Sequence, residues 1–144
     1  MQLGQVLGAG RQNIVLATEF GGAMSADWPR KGGSCKWMVQ AVVVSLKRRQ
    51  TDRIDLYQRH FPNPLTPIEE TLRALDDLIS SGKVRYIGCS NLTSWELVEA
   101  SFAAEIANTN AFVSAQEEYS VLKRSIESNL LLVARRYGVG ILPY

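Results

Sequence analysis

Histidine, cysteine and excess charge are the scarcest features of this 144-residue sequence. It holds one histidine, His60, and two cysteines, Cys35 and Cys89, which lie far apart along the chain. These residues cannot supply the four ligands of a typical zinc site, and two cysteines do not make a disulfide framework. The formal net charge is only +2, so a large basic surface for nucleic acid is not expected. The densest basic run, residues 47–49, is predicted to be a solvated helix end.

Long apolar runs are also lacking, and none reaches the length of a transmembrane segment. The first 13 residues do not show the basic-then-apolar pattern of a signal peptide. Together with the low cysteine content, these absences predict a cytoplasmic protein without membrane contact. No low-complexity linker or charge block divides the chain, so residues 1–144 are predicted to form one domain, long enough to bury a core.

Short β-branched and apolar runs alternate with segments of helical periodicity along the whole chain. Turn-forming residues separate the runs, as expected for strands. We therefore predict five strands, at NIVLATEF (13–20), RIDLYQRH (53–60), VRYIGCS (84–90), AFVSAQ (111–116) and VGILPY (139–144).

Four helices are predicted between these strands, and two of them have clear start signals. Residues 66–69 and 93–96 both read as capping boxes, the first with proline at the first helical position. Ser34 is a candidate cap for the first helix, while Gly82 and Gly138 are candidate left-handed stops for the second and fourth. The predicted apolar stripes are Val39, Val42, Val43 and Leu46; Ile68, Leu72, Leu75, Leu78 and Ile79; Trp95, Val98 and Phe102; and Ile126, Leu130, Val133 and Tyr137.

A strand–helix pair repeated four times and closed by a fifth strand predicts a parallel α/β sheet covered by helices. Two architectures fit this order of elements. One is an open, doubly wound sheet of five strands. The other is an incomplete TIM (β/α)8 barrel, because a whole barrel needs about 250 residues.

Polar side chains collect where each predicted strand ends, which is where parallel sheets carry their chemistry. Strand ends leave the core, so polar residues are partly expected there for structural reasons alone. Serine, asparagine and glutamine can pair with a carboxamide, and a tyrosine ring can stack on a flat ring. The pattern predicts a small-molecule site but no particular reaction, and its residues are Thr18, Glu19, Gln58, Arg59, His60, Ser90, Asn91, Gln116, Glu117 and Tyr144.

The stretch IDLYQRHFPNPLTPIEETLRALDDLISSGKVRYIGCSN closely resembles the fourth and fifth strands of the aldo-keto reductases. VLATEFGG, FVSAQEEYSVL and GVGILPY resemble the third, sixth and seventh strands of that family, and the closest likeness is to its bacterial branch related to potassium-channel β subunits. The resemblance implies an incomplete (β/α)8 barrel, with strands three to seven present and strands one, two and eight missing, so that the chain is truncated at both ends.

The resemblance also implies a reaction, the NADPH-dependent reduction of aldehydes or ketones by hydride transfer. His60 matches the catalytic histidine of the family, which orients the substrate carbonyl. Ser90, Asn91 and Gln116 match residues that hold the nicotinamide carboxamide, and Tyr144 matches the tyrosine that stacks on the nicotinamide ring.

Three departures from the family pattern bear on activity. No position matches the catalytic aspartate and tyrosine, the lysine position holds Glu19, and the segments that hold the cofactor's adenosine and 2′-phosphate are missing. A carboxylate in place of a cation would oppose the phenolate form of a proton-donating tyrosine. The chain alone is therefore expected to be catalytically deficient. A non-catalytic binding or regulatory module and a degenerate gene fragment remain as alternatives.

A partial barrel has two sheet edges, whereas a closed barrel has none. Edges with unpaired backbone groups favour self-association, or completion by another chain. The resemblance implies a small carbonyl substrate as one partner, and the sheet edges favour a polypeptide as another.

Overall fold

The computed structural model describes residues 8–22 and 35–144, and strands alternate with helices through these residues. All five predicted strands and all four predicted helices are confirmed, although several bounds differ. The predicted cap at Ser34 lies outside the described residues. The elements are β1 (Ala17–Phe20), α1 (Cys35–Arg49), β2 (Ile54–Arg59), α2 (Ile68–Ser80), β3 (Val84–Ser90), α3 (Ser94–Ala107), β4 (Ser114–Glu117), α4 (Leu130–Tyr137) and β5 (Gly140–Pro143), with 3₁₀ helices at Gly8–Asn13 and Ser125–Ser128.

The five strands form one sheet in the order β1-β2-β3-β4-β5, and every neighbouring pair is parallel. A doubly wound sheet reverses its strand order partway, but here every crossover steps in the same direction. Because such crossovers are right-handed, stepping one way places all the helices on one face of the sheet. This order is that of a partial TIM barrel, and it excludes the open doubly wound alternative.

The apolar core lies between the sheet and the helices. Tyr57 and Ile87 point into it from β2 and β3, and Leu72 and Leu75 meet them from α2; all four are at most 1 % exposed. The hydroxyl of Tyr57 reaches across this layer and donates to the carbonyl oxygen of Met38 on α1. Side chains alternate along a strand, so the neighbours of Tyr57 and Ile87 point to the opposite face.

That opposite face corresponds to the inside of a barrel, and it is crowded and polar. A methyl group added at Gly88 would lie 2.5 Å from Ser114 Oγ and 3.2 Å from Gln58 Cγ. Gln58 and Ser114 are both buried, at 2 % and 7 % exposure. The glycine therefore allows β2, β3 and β4 to bring polar side chains together on this face.

The two predicted capping boxes have different outcomes. Thr93 forms the reciprocal box, since its side chain accepts from the backbone N–H of Glu96 and the Glu96 carboxylate accepts from the N–H of Thr93. The box at Thr66 is wrong, because Pro67 occupies the cap position without a side-chain cap bond. Thr66 Oγ1 instead accepts from Asn63 Nδ2 at 3.0 Å, within the preceding turn. The predicted left-handed stops at Gly82 and Gly138 are confirmed.

The buried faces of the helices follow the predicted stripes only in α2. In α3 the predicted Trp95, Val98 and Phe102 are exposed, and Leu97 with alanines 100, 103 and 104 faces the core. Small alanine side chains allow α3 to lie close to the sheet, which the larger residues would prevent. In α1, Val42 is buried as predicted, but Met38 joins it in the core while Val39 and Val43 are exposed.

The first strand and the last helix are among the elements that are shorter than predicted. The first strand begins at Ala17, because Gly8–Asn13 forms a 3₁₀ helix before it. The last helical stripe is split at Asn129, whose side chain accepts from the backbone N–H of Leu130 and starts α4 afresh. Ile126 therefore lies in the separate 3₁₀ helix.

Asp55 fixes the 3₁₀ helix Gly8–Asn13 to the amino-terminal end of β2. Its Oδ2 lies 2.7 Å from Arg11 Nη1 and accepts from the backbone N–H of Leu16 at 2.8 Å. Arg53 and Arg85 lie 3.7 and 3.8 Å from Oδ1. Burial acts to raise the pKa of Asp55, but the hydrogen bonds from Leu16 and Arg11 and the charges of Arg11 and Arg53 outweigh it and hold the pKa below its ordinary value.

We expect Gly88→Ala to destabilise the fold by about 1–3 kcal/mol, because the new methyl group forces β3 away from Ser114 and Gln58. Gly140→Ala is the matched control, since a methyl group there would lie 3.7 Å from its nearest neighbour, the carbonyl oxygen of Val113. Urea denaturation followed by circular dichroism measures both. Equal midpoints for the two variants would contradict the close packing of the polar face.

Asp55→Asn is expected to lower the free energy of unfolding by about 2 kcal/mol at neutral pH, because charged hydrogen bonds are lost. The native pKa of Asp55 lies below the unfolded value of about 3.9. The difference between wild type and variant should therefore be complete above about pH 5 and shrink as the pH falls through the native pKa. Asp52→Asn is the control, because the Asp52 side chain is 82 % exposed. A difference that does not change between pH 6 and pH 3 would contradict this assignment.

Candidate functional site

The carboxyl ends of all five strands lie along one rim of the sheet. The register places Glu19 beside Gln58, Gly88 beside Ser114 and Gln116 beside Leu142, so the residues that follow each strand meet at the same edge. The predicted site residues Glu19, His60, Ser90, Asn91, Gln116 and Tyr144 all lie on this rim.

Asn91 joins four strands at the rim through its side chain and backbone. Its Nδ2 donates to the carbonyl oxygen of His60 at 3.0 Å and to Ser90 Oγ at 2.9 Å. Its Oδ1 accepts from the hydroxyl of Tyr144 at 2.6 Å, and its backbone N–H donates to the carbonyl oxygen of Gln116 at 3.2 Å. These bonds hold Asn91 at φ 57°, a left-handed conformation that costs a non-glycine residue about 1 kcal/mol or more.

Gln116 and Ser90 continue this network into the polar face. Ser90 Oγ donates to the carbonyl oxygen of Gln116 at 2.8 Å, and Gln116 Oε1 accepts from Gln58 Nε2 at 2.8 Å. The other amide oxygen, Gln58 Oε1, is buried and has no partner among the described residues. Gln116 Nε2 donates to no described residue, so its two N–H groups are available to a ligand at the rim.

His60 and Glu19 form the other half of the rim. His60 Nε2 lies 3.6 Å from Glu19 Oε2, and the histidine ring stacks on Phe61 with ring centroids 4.0 Å apart. The side chains of His60 and Glu19 are each about one-third exposed, so a ligand could reach them. The second carboxylate oxygen, Glu19 Oε1, is buried without a hydrogen-bond partner among the described residues. Glu19 therefore places an acidic rather than a basic group beside His60.

A cavity of about 840 Å³ adjoins this half of the rim. Glu19 and His60 line one part of it, and Trp37, Val43 and Arg48 of α1 line another. The cavity extends around the edge of β1, because its lining includes neighbouring β1 residues whose side chains point to opposite faces of the sheet. Its size is in the range of small-molecule sites.

Three predicted rim residues, Thr18, Arg59 and Glu117, point the other way. Thr18 Oγ1 accepts from Arg49 Nη2 of α1 at 2.9 Å on the helix-facing side. Arg59 and Glu117 are 6 % exposed and lie on the helix-facing side of the sheet. Burial lowers the pKa of Arg59, and the carboxylates of Glu96 and Glu99 on α3 act to raise it. Arg59 follows Gln58 and Glu117 follows Gln116 in their strands. Strict alternation of side chains is the signal that could have separated Arg59 and Glu117 from the ligand-facing residues.

Gln58 belongs to the network, although sequence reasoning gave it only a place at a strand end. Its side chain lies on the same face as Gln116, two residues before His60, so period-two alternation from His60 would have identified it. Cys89 is a fully buried core residue. Burial, with a smaller contribution from the nearby Glu117, raises the pKa of its thiol to about 12, while Arg59 acts to lower it.

Three tyrosine hydroxyls are engaged by groups other than His60. Tyr57 donates to the carbonyl oxygen of Met38, Tyr119 to Glu127 and Tyr144 to Asn91. None of these three hydroxyls is hydrogen-bonded to His60.

The rim fits the nicotinamide end of a dinucleotide in its donor and acceptor set. A carboxamide offers one acceptor and two donors, and Gln116 Nε2 and the oxygens of Ser90 and Asn91 complement them. Tyr144 is 59 % exposed, which leaves its ring accessible for stacking. Its hydroxyl bond to Asn91 fixes where that ring stands relative to the amide.

Other features of the described residues are neutral with respect to function. Across residues 8–22 and 35–144, no helix is both long enough and apolar enough to cross a membrane. The same residues contain no group of three or more histidine, cysteine, aspartate or glutamate side chains placed to hold a metal ion.

Comparison with known protein families matches residues 1–144 to the family described as "Aldo/keto reductase family". Among curated proteins, the chain is 38 % identical over 141 residues to the uncharacterized oxidoreductase YrpG of Bacillus subtilis, covering 95 % of this chain and 43 % of that protein. It is 41 % identical over 105 residues to the aldo-keto reductase AFTS1 of Alternaria alternata, covering 73 % of this chain and 29 % of that protein. It is 37 % identical over 115 residues to the putative aryl-alcohol dehydrogenase AAD16 of Saccharomyces cerevisiae, covering 80 % and 33 %.

The chain therefore spans less than half the length of each of these relatives.

Proposed function

The chain belongs to the aldo/keto reductase family, and from this premise we propose that it is an NADPH-dependent aldehyde or ketone oxidoreductase by descent. We propose further that this chain binds the nicotinamide end of the cofactor and is catalytically deficient by itself. The observation that carries the proposal is the hydrogen-bonded rim of Ser90, Asn91, Gln116 and Tyr144, with His60 beside it.

Each rim residue has a role that its contacts support. Ser90, Asn91 and Gln116 hold the carboxamide, and Tyr144 supports the ring by stacking. His60 orients a substrate carbonyl through its exposed imidazole. When bound, NADPH would supply the hydride for carbonyl reduction.

The deficiency is supported by the charge beside His60. Carbonyl reduction needs a proton for the developing alkoxide, and positioned acid catalysis contributes about 10² to 10⁴ in rate. The carboxylate of Glu19 lies 3.6 Å from His60 Nε2, and a carboxylate disfavours an alkoxide at the same place. A regulatory module is the second candidate function. It shares binding without turnover with the first, and the Glu19–His60 pair favours it.

We expect the chain to bind reduced nicotinamide mononucleotide and NADPH with similar affinities, on the order of 1 mM, because the same nicotinamide contacts supply about 4 kcal/mol to each. Gln116→Ala should abolish this binding, since the free amide donors are lost. Asn110→Ala is the matched control, because Asn110 lies at the opposite end of β4 and bonds Asp76 there. Quenching of tryptophan fluorescence, followed as each ligand is added to the wild type and to the two variants, measures the affinities.

The same titrations decide between the alternatives. Binding with no oxidation of NADPH in the presence of 4-nitrobenzaldehyde supports the proposal, and turnover of this aldehyde would refute the deficiency. No binding by wild type up to 10 mM of either ligand (about 2.7 kcal/mol) would refute the proposal and favour a degenerate gene fragment.

Glu19 is expected to shift the balance between the two redox forms of the ligand. The oxidised nicotinamide ring is a cation and the reduced ring is neutral, so a nearby carboxylate stabilises the oxidised form by about 1 kcal/mol. Glu19→Gln should therefore weaken oxidised relative to reduced nicotinamide mononucleotide by about fivefold. Glu105→Gln removes the same charge from the exposed far end of α3 and should leave the ratio unchanged. An unchanged ratio in Glu19→Gln would show that the carboxylate does not face the ring.

A further inference from the structure

A buried carboxylate lies behind the rim, on the side of the sheet that faces the helices. Glu117 is the last residue of β4 and is 6 % exposed. Its Oε1 accepts from the backbone N–H of Leu92 at 3.2 Å, in the turn that connects β3 to α3. The side chain of the preceding residue, Gln116, points to the rim, and its carbonyl oxygen accepts from the backbone N–H of Asn91 in the same turn.

The turn that Glu117 contacts carries the strained residue of the site. Asn91 stands at φ 57°, one residue before Leu92. In this conformation its amide reaches His60, Ser90 and Tyr144 at the same time. A non-glycine residue keeps such a conformation only when its surroundings hold it there.

Glu117 also fixes Tyr144, whose hydroxyl donates to Asn91. Its carbonyl oxygen accepts from the backbone N–H of Tyr144 at 3.1 Å. The side chain of one residue thus fixes the Asn91–Leu92 turn, while its main chain fixes the residue whose hydroxyl bonds Asn91.

We propose that Glu117 is a positioning residue for the ligand site. Its buried carboxylate holds the turn at Leu92, so that Asn91 presents its amide at the rim in the one orientation that bonds His60, Ser90 and Tyr144. The ligand part of this inference rests on the proposed function, namely that the rim receives a nicotinamide carboxamide.

The charge on Glu117 matters to this role, because a carboxylate accepts from a backbone N–H more strongly than a neutral acid does. Burial raises the pKa of Glu117 to about 7, the nearby carboxylate of Glu96 on α3 adds to the rise, and the backbone N–H groups of Leu92 and Asn91 lower it. The other titratable neighbour is Cys89 on β3, with Arg59 of β2 beyond it. Gly140–Pro143 of β5 contains no titratable side chain.

The raised pKa of Glu117 makes the stability of the fold depend on pH. The native pKa lies above the unfolded value of about 4.3, so folding is favoured below that value and this stability is lost as the pH rises to about 7. The ionised carboxylate therefore lowers the stability of the fold while it strengthens the bond to Leu92.

Three variants test the inference. Glu117→Met keeps the volume but removes the acceptor, and Glu117→Gln keeps a neutral acceptor. Glu118→Met changes the adjacent exposed glutamate and is the matched control. Two quantities are measured on each: the protection of the Leu92 amide against hydrogen exchange, and the affinity for reduced nicotinamide mononucleotide.

Glu117→Met should lose about tenfold in both the Leu92 protection and the affinity, because a hydrogen bond to a charged group is lost. Glu117→Gln should recover most of both, and Glu118→Met should change neither. In wild type the protection of Leu92 against local opening of the turn, in which Glu117 stays buried, should rise between pH 6 and pH 8 as Glu117 ionises, whereas in Glu117→Gln it should stay constant. A role in packing alone would not produce that pH dependence.

Each contrary result has its own meaning. Unchanged Leu92 protection in Glu117→Met, or the same pH dependence in Glu117→Gln as in wild type, would overturn the positioning role. Reduced protection with unchanged affinity in Glu117→Met would overturn the link to the ligand. If Glu117→Met does not fold, the pH dependence of wild type against Glu117→Gln decides alone. Absence of nucleotide binding by wild type would instead refute the proposed function.

Discussion

The parallel register of the five strands is the constraint on which the site depends. Because every strand ends at one rim, residues far apart in sequence come within hydrogen-bond distance. The separations are 31 residues between His60 and Asn91, 53 between Asn91 and Tyr144, and 58 between Gln58 and Gln116. A slip of one residue in any ladder would exchange the two faces of that strand. In β2 it would turn the Gln58 side chain toward the helices and Arg59 toward the rim. The sheet as a whole thus brings the rim together, although His60, Asn91 and Tyr144 stand just beyond the ends of their strands.

The two faces of the sheet hold their side chains by different means. On the helix side, apolar residues such as Tyr57 and Leu72 are packed out of water, and that burial supplies most of the stabilisation. On the rim side, buried amides and hydroxyls must bond each other, because an unpaired buried polar group costs about 1–3 kcal/mol. Asn91 satisfies several of these groups at once, which is why the fold can sustain its left-handed backbone. Ligand-binding capacity and strain are therefore concentrated in the same short turn.

Much of this arrangement could be predicted from the sequence, and the failures have physical causes. The strands and the rim residues follow from a period-two pattern and from the rule that parallel strands end together. The buried face of α3 could not be read from the large apolar residues, because Ala100 and Ala104 make the close contact while Trp95 remains exposed. The capping role of Thr66 failed because Asn63 competes for its hydroxyl within the turn. Alternation with Gln116 places Glu117 behind the rim, but its contact with Leu92 depends on the register of β4 with β3, which no local pattern encodes.

The two outer strands differ in their capacity to accept a further strand. In β5 the backbone N–H groups of Gly140 and Tyr144 donate to Val113 and Glu117, so Ile141 and Pro143 present their backbones to the opposite side. Proline has no N–H, which leaves half of that side without a donor. In β1 the carbonyl oxygens of Leu16 and Phe20 accept from β2, so Ala17 and Glu19 face outward, and both carry a donor and an acceptor. Among the described residues, the backbone that β1 would offer to a further strand is therefore complete, next to the cavity, whereas the one at β5 lacks a donor.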